Sequence, residues 1–167
     1  SSHLKKPEIP INESERLQAL NEYRILGTKP EENYDDITKI ASLTCGAPFA
    51  LLSLVDSNRQ WFKAKVGIEA EETVRDWSFY AHAIHSSEPL IVEDALKDER
   101  FFDNPLVQGE PKIRLDAGFP LQNDKNLRIG TLCVIDRAPH GLTDTQFSIM
   151  QSLSRQAVAF LELRKRS

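Results

Sequence analysis

Cysteine is scarce in this sequence: Cys45 and Cys133 are the two among 167 residues. They form no CxxC pair and no disulfide framework, so the fold must rest on its own core, and a reducing compartment is expected. Long apolar runs are missing as well. The longest, residues 47–55, already contains Pro48 and Ser53 and falls far short of the ~18–20 residues of a membrane span. No surplus of basic charge exists: the formal net charge is -4, which removes the electrostatic case for nucleic acid or an anionic membrane as partner. Arg164, Lys165 and Arg166 do gather near the C-terminus, where they complement a helix dipole. There is no GxGxxG, no phosphate-cradling glycine loop and no GxSxG. Nothing near the N-terminus reads as a signal peptide, so a cytoplasmic location without membrane insertion is expected.

What is present is ordinary for a globular domain, 40% hydrophobic and 28% charged. A chain of this length fits one domain able to bury roughly 70% of its extended surface. Residues 1–12, with two prolines and little periodicity, read as a tail or linker, and 13–167 as one domain with helical extensions at both ends. Asn12 or Ser14 is placed to cap a first helix carrying Leu17 and Leu20, closed by Gly27. Pro30 opens a second, with Tyr34, Ile37, Ile40, Ala41 and Thr44 on one face. The period then changes. Residues 49–55 and 60–66 form two strand-like runs across Asp56-Ser57-Asn58-Arg59, a hairpin. A short helix at 78–87, a short strand at 89–92 and a charged, proline-broken loop at 97–112 follow. A second hairpin (113–121 and 127–135) leads to the clearest helix, 143–164, where Thr143 and Gln146 make a capping box. Antiparallel hairpins between terminal helices define an α+β layer structure.

Alternation along the strands separates two faces. One is aliphatic and suited to packing under helices. The other carries Ser53, Arg114, Asp116, Thr131 and Cys133, a half-polar surface of the kind that floors a small-molecule pocket. Arg114 and Asp116, two apart, either pair there or face water. Trp61, Phe62, Trp77, Phe79 and Tyr80 cluster around the first hairpin and the short helix and read as core rather than a cofactor cage. His82 and His85 are spaced to share a helix face, yet no further residue completes a metal site. Cys133, in an apolar strand without an adjacent base, reads as structural rather than nucleophilic.

Several segments resemble one bacterial family. They are 17–26 (LQALNEYRIL), 54–63 (LVDSNRQWFK), 75–84 (RDWSFYAHAI), the Arg100-Phe101 and Asn104-Pro105 stretch, 113–121 (IRLDAGFPL), 130–136 (GTLCVID) and 161–164 (LELR). Together they resemble the GAF domains of signal-transduction proteins. The resemblance implies a central antiparallel sheet of five to six strands, the N- and C-terminal helices on one face and a ligand pocket under loops on the other. It further implies a regulatory sensor module, attached to a histidine kinase, a diguanylate cyclase or a similar signalling protein. Such a module passes the state of a small-molecule ligand through terminal helices that pair as a homodimer. Carried over to this sequence, the pocket residues are Ser53, Trp61, Phe79, Tyr80, Arg114, Asp116, Thr131 and Cys133, with no catalytic or metal-binding residue.

Two departures qualify the carry-over. Tyr80 stands where the group often has cysteine, so covalent bilin attachment is not expected, and the ligand or cofactor stays unnamed. Leu115-Asp116 replaces a common aromatic pair, bringing a carboxylate that must be compensated by Arg114 or by a cationic or hydrogen-bonding ligand. The alternatives are a thiol enzyme such as a free methionine sulfoxide reductase, for which Cys45 and Cys133 do not reproduce the cysteine set, and a ligand-free dimerisation scaffold.

Overall fold

The computed structural model describes residues 6–167. Of the expected tail, residues 1–5 lie outside the described residues, and 6–12 form neither helix nor strand. Helix α1 (Glu13–Glu22) starts at Asn12, whose side chain makes no capping bond; Glu13 and Glu15 complement the dipole instead. Helix α2 (Glu32–Cys45) buries Tyr34, Ile37, Thr38, Ala41 and Cys45 and ends at Gly46, in the left-handed conformation with φ 60°. Ile40, expected on the packed face, is 45% exposed, because a stripe centred on Ile37 and Ala41 leaves it at the margin.

Six strands follow the order β3-β2-β1-β6-β5-β4, every pairing antiparallel. They are β1 (Phe49–Val55), β2 (Arg59–Val66), β3 (Glu72–Val74), β4 (Leu90–Val92), β5 (Leu115–Gln122) and β6 (Arg128–Asp136). The central pair β1–β6 joins the two hairpins into one sheet. Helix α5 (Asp144–Arg166) carries the expected capping box: Thr143 Oγ1 accepts from Gln146 N at 3.1 Å, and Thr143 N donates to Gln146 Oε1 at 2.8 Å. Helices α1, α2 and α5 share one core with Leu52, Leu54, Ala117, Leu132 and Val134 on one sheet face. The opposite face is covered by a 3-10 turn (Arg75–Trp77), the single-turn helices α3 (Tyr80–Ala83) and α4 (Pro105–Gln108), and the loop between β4 and β5.

Two β-bulges interrupt the alternation. Ser53 pairs with Phe62 but Leu52 with Ala64, so Lys63 is extra; Leu121 pairs with Gly130 but Gln122 with Arg128, so Ile129 is extra. Trp61 and Ile129 therefore join the helix-side core. The Lys63 ammonium, in the first bulge, donates to Thr28 Oγ1 and the Lys29 carbonyl and pairs with Glu31. Within the terminal helix Leu161 is 1% exposed and Leu153 only half-buried. Leu161→Ala is expected to cost about 2–5 kcal/mol by urea denaturation, as for a leucine deleted from a filled core. A loss below about 0.5 kcal/mol would mean α5 does not dock as described.

Candidate functional site

The second face encloses a cavity of about 340 Å³. Its floor is the sheet: Leu51 of β1, Ile135 of β6 and Asp116 of β5. Phe62 and Gln60 of β2 and Thr73 of β3 make one wall, and Phe79 and Tyr80 at the start of α3 make another. The wall at α3 is held by packing and by hydrogen bonds. Ser78 Oγ accepts from the amides of Tyr80 (3.0 Å) and Ala81 (3.3 Å). Phe79 stacks on Phe101 at 4.1 Å between centroids. Asn104 caps α4 through its Oδ1 and donates from Nδ2 to the Trp77 carbonyl at 2.8 Å, tying the long loop to the 3-10 turn. Arg137 stands at the rim, stacked over the Phe49 ring and donating to the Pro111 carbonyl.

Of the residues carried over, Phe79, Tyr80 and Asp116 line the cavity. Ser53, Thr131 and Cys133 lie beside it, fully buried; Ser53 and Thr131 face each other across β1 and β6 with both hydroxyls unpaired. Cys133 donates its S–H to the Tyr80 hydroxyl at 2.6 Å, and Tyr80 donates in turn to Asp116 Oδ2 at 3.1 Å. Two expectations need correction. Trp61 is turned to the helix side by the first bulge. Arg114 does not pair with Asp116: its guanidinium donates to the carbonyls of Val107 (3.1 Å) and Ile113 (2.9 Å), because it precedes β5 and follows the loop backbone. Sequence reasoning left out Gln60 and Thr73, which pair across β2 and β3; Gln60 Oε1 and Thr73 Oγ1 are buried and unpaired. The β2 alternation placed Gln60 with Phe62, but nothing in the sequence signals a strand as short as β3.

Electrostatics make this an interior that disfavours charge and holds no activated nucleophile. Burial drives the Asp116 carboxyl well above the usual carboxylate range, opposed only partly by the Tyr80 hydrogen bond. Burial also pushes the Tyr80 phenol and the Cys133 thiol well up, and the Asp116 charge adds to both. Cys133 therefore stays a thiol. Cys45 sits in the helix-side core on the far side of the sheet, its thiol pushed up to about 11 by burial. The two sulfurs cannot act together across the pocket, which leaves the thiol-enzyme alternative without support. His82 packs edge-on to Phe101, while His85 donates to the Glu8 carbonyl. Among the described residues no group of three or more His, Cys, Asp or Glu is arranged to hold a metal.

A six-stranded antiparallel sheet with terminal helices on one face and a loop-covered cavity on the other is the architecture of a small sensor module. The GAF domain profile matches residues 29–161, and the chain belongs to the GAF domain family, the regulatory sensor domains of signalling proteins. It is 38% identical over 154 residues to a cyclic di-GMP phosphodiesterase of Pseudomonas aeruginosa, covering 92% of this chain but 26% of that protein. Its fold matches the GAF domain of an Acinetobacter phosphoenolpyruvate-protein phosphotransferase with a TM-score of 0.64 at 18% identity, covering 89% of this chain and 93% of that one. A domain from a protein described as a two-component sensor histidine kinase of Sinorhizobium meliloti 1021 matches with a TM-score of 0.60 at 18% identity, covering 79% and 90%. Among the described residues no helix is long and apolar enough to cross a membrane.

Proposed function

We propose that this domain is the small-molecule-binding regulatory part of a cytoplasmic signalling protein, and that it controls an attached output enzyme through its terminal helices. The observation that carries the reading is the cavity itself, apolar in most of its lining yet bordered by the buried, unpaired Gln60 Oε1 and Thr73 Oγ1 and by Asp116. Buried polar atoms without partners destabilise a fold unless something satisfies them. A ligand does so. The identity to a segment of a cyclic di-GMP phosphodiesterase supports an output enzyme of second-messenger signalling.

A physical route from cavity to helices supports the second half. Arg75 follows Thr73 by two residues and opens the turn that leads to Phe79. It pairs with Glu13 of α1 and donates to the Asp56 carbonyl at 2.9 Å. Glu13 also holds Arg16 at 2.7 Å, and Arg16 reaches the Val55 carbonyl at the end of β1. Burial works to raise the Glu13 carboxyl, but the hydrogen bonds from the two arginines outweigh it and hold the carboxyl below its ordinary range. Beyond α1, Tyr23 donates to Glu162 at 2.7 Å and Arg164 donates to the Tyr23 carbonyl at 2.9 Å. A change at the pocket wall thus has a continuous set of bonds to α1 and α5, which pair with a second copy in the proposed homodimer.

Native mass spectrometry of gently purified protein, followed by thermal-shift screening of a metabolite panel, tests this. The expected result is a bound small molecule, or a panel member raising Tm, with slower amide exchange in α1 and α5 on binding. A protein that carries nothing and shifts with nothing would instead be the ligand-free dimerisation scaffold.

A further inference from the structure

Building on that ligand-binding reading, we propose that the cavity takes a compact organic cation, an ammonium or amidinium on an apolar body, with its charge seated against Asp116. The polar groups around the cavity divide unevenly between donors and acceptors. Asp116 is 2% exposed at the cavity floor, and no cation among the described residues pairs with it. Tyr80 spends its one O–H donor on Asp116 and accepts from the Cys133 thiol. Arg114 is spent on two backbone carbonyls. Arg137 at the rim is held by the Pro111 carbonyl and Glu110. Toward the other end of the lining the unpaired atoms are Gln60 Oε1, which can only accept, and Thr73 Oγ1, which can accept or donate. Gln60 Oε1 and the Asp116 carboxyl thus favour a ligand that carries N–H donors.

Charge gives the same answer. A phosphate or carboxylate ligand would bury its charge beside Asp116 with no free cation among the described residues to offset it, which burial disfavours. An ammonium there favours the ionised carboxyl: a proton held by the acid passes to solvent, and a carboxylate–ammonium pair remains. Tyr80 and Cys133, the other titratable groups packed against Asp116, stay neutral through this step, since burial holds both well up. Glu110 and Arg137 at the rim already pair with each other. Phe62 and Phe79 supply the aromatic faces that attract a cation. A volume of about 340 Å³ equals the liquid share of roughly eleven waters, which suits a ligand on the order of ten non-hydrogen atoms.

Three probes of one skeleton separate the charge classes: 2-phenylethylamine, 2-phenylethanol and phenylacetate, each titrated by ligand-observed NMR and calorimetry at neutral pH. The amine is expected to bind at least ten-fold tighter than the alcohol, with phenylacetate weakest. Asp116→Asn should weaken the amine at least ten-fold and leave the alcohol unchanged. Calorimetry in buffers of different ionisation heat should show proton release with the amine and wild-type protein only. Equal or tighter binding of the alcohol or phenylacetate, or an amine affinity untouched by Asp116→Asn, overturns the cation proposal while upholding a ligand-binding cavity. Binding of none of the three also overturns it, and the ligand-binding reading then stands or falls on the native mass spectrum alone.

Discussion

Gly130→Ala is expected to destabilise the domain by more than about 3 kcal/mol, enough to leave it largely unfolded or insoluble when expressed. A Cβ at this position would stand 2.0 Å from the Ser53 carbonyl oxygen and 2.9 Å from the Leu54 Cα. Both belong to the backbone of β1, the central strand, which cannot yield as the tip of a flexible side chain can. Ordinary overpacking costs about 1–3 kcal/mol because side chains move aside; here the two middle strands would have to separate. Gly130 pairs with Leu54 across β1 and β6, beside Ile129, the extra residue of the β5–β6 bulge. Gly118→Ala is the control. Its added carbon would meet the Tyr80 ring at 3.4 Å and Thr131 at 3.9 Å, contacts that existing packing accommodates, so its effect should stay within about 1 kcal/mol. Urea midpoints of the two variants decide the matter, and equal costs would show that β1 and β6 do not approach as described.

Asp116→Asn should make the free protein more stable at pH 7, by on the order of 1–3 kcal/mol, the cost typical of burying a poorly compensated polar group. Burial raises this carboxyl well above the usual carboxylate range in the folded state. A carboxyl whose folded pKa exceeds its unfolded one, about 3.9, lends its full contribution to the fold only below that value. The contribution drains away as pH rises toward the folded pKa, because the unfolded chain then gains more by ionising. Wild type and variant should therefore converge near pH 4 and part as pH rises, with the variant ahead. The Tyr80 hydroxyl can donate to the asparagine carbonyl oxygen as it does to Asp116. A pair with Arg114 would reverse the sign, so a variant less stable than wild type by over 1 kcal/mol at pH 7 would indicate a cation at Asp116 after all. The same substitution is expected to stabilise the fold and to abolish preference for the amine, which ties Asp116 to binding rather than to architecture.

Local order is legible in the sequence. The period-3.6 stripe and the Thr143–Gln146 box place α5, and the alternating runs place both hairpins and hence the α+β class. The quoted segments, from 17–26 to 161–164, suffice for the GAF family. Those signals depend on residues near one another in the chain, so a linear reading captures them. Phe79 and Tyr80 are placed at the cavity by the resemblance, and Asp116 by the resemblance and strand alternation together.

What only the tertiary structure decided lies at places where partners are distant in sequence. Trp61 and Ile129 changed faces because a bulge is a property of two paired strands, and neither strand alone announces which residue will be extra. Arg114 was lost to Asp116 because loop carbonyls at Val107 and Ile113 hold it first. Gln60 and Thr73 became pocket atoms through an edge strand of three residues, too short for any period to show. The sequence by itself settles which elements form; their pairing register and the competition for each charged group settle the pocket, since both are energies shared between segments that meet only on folding.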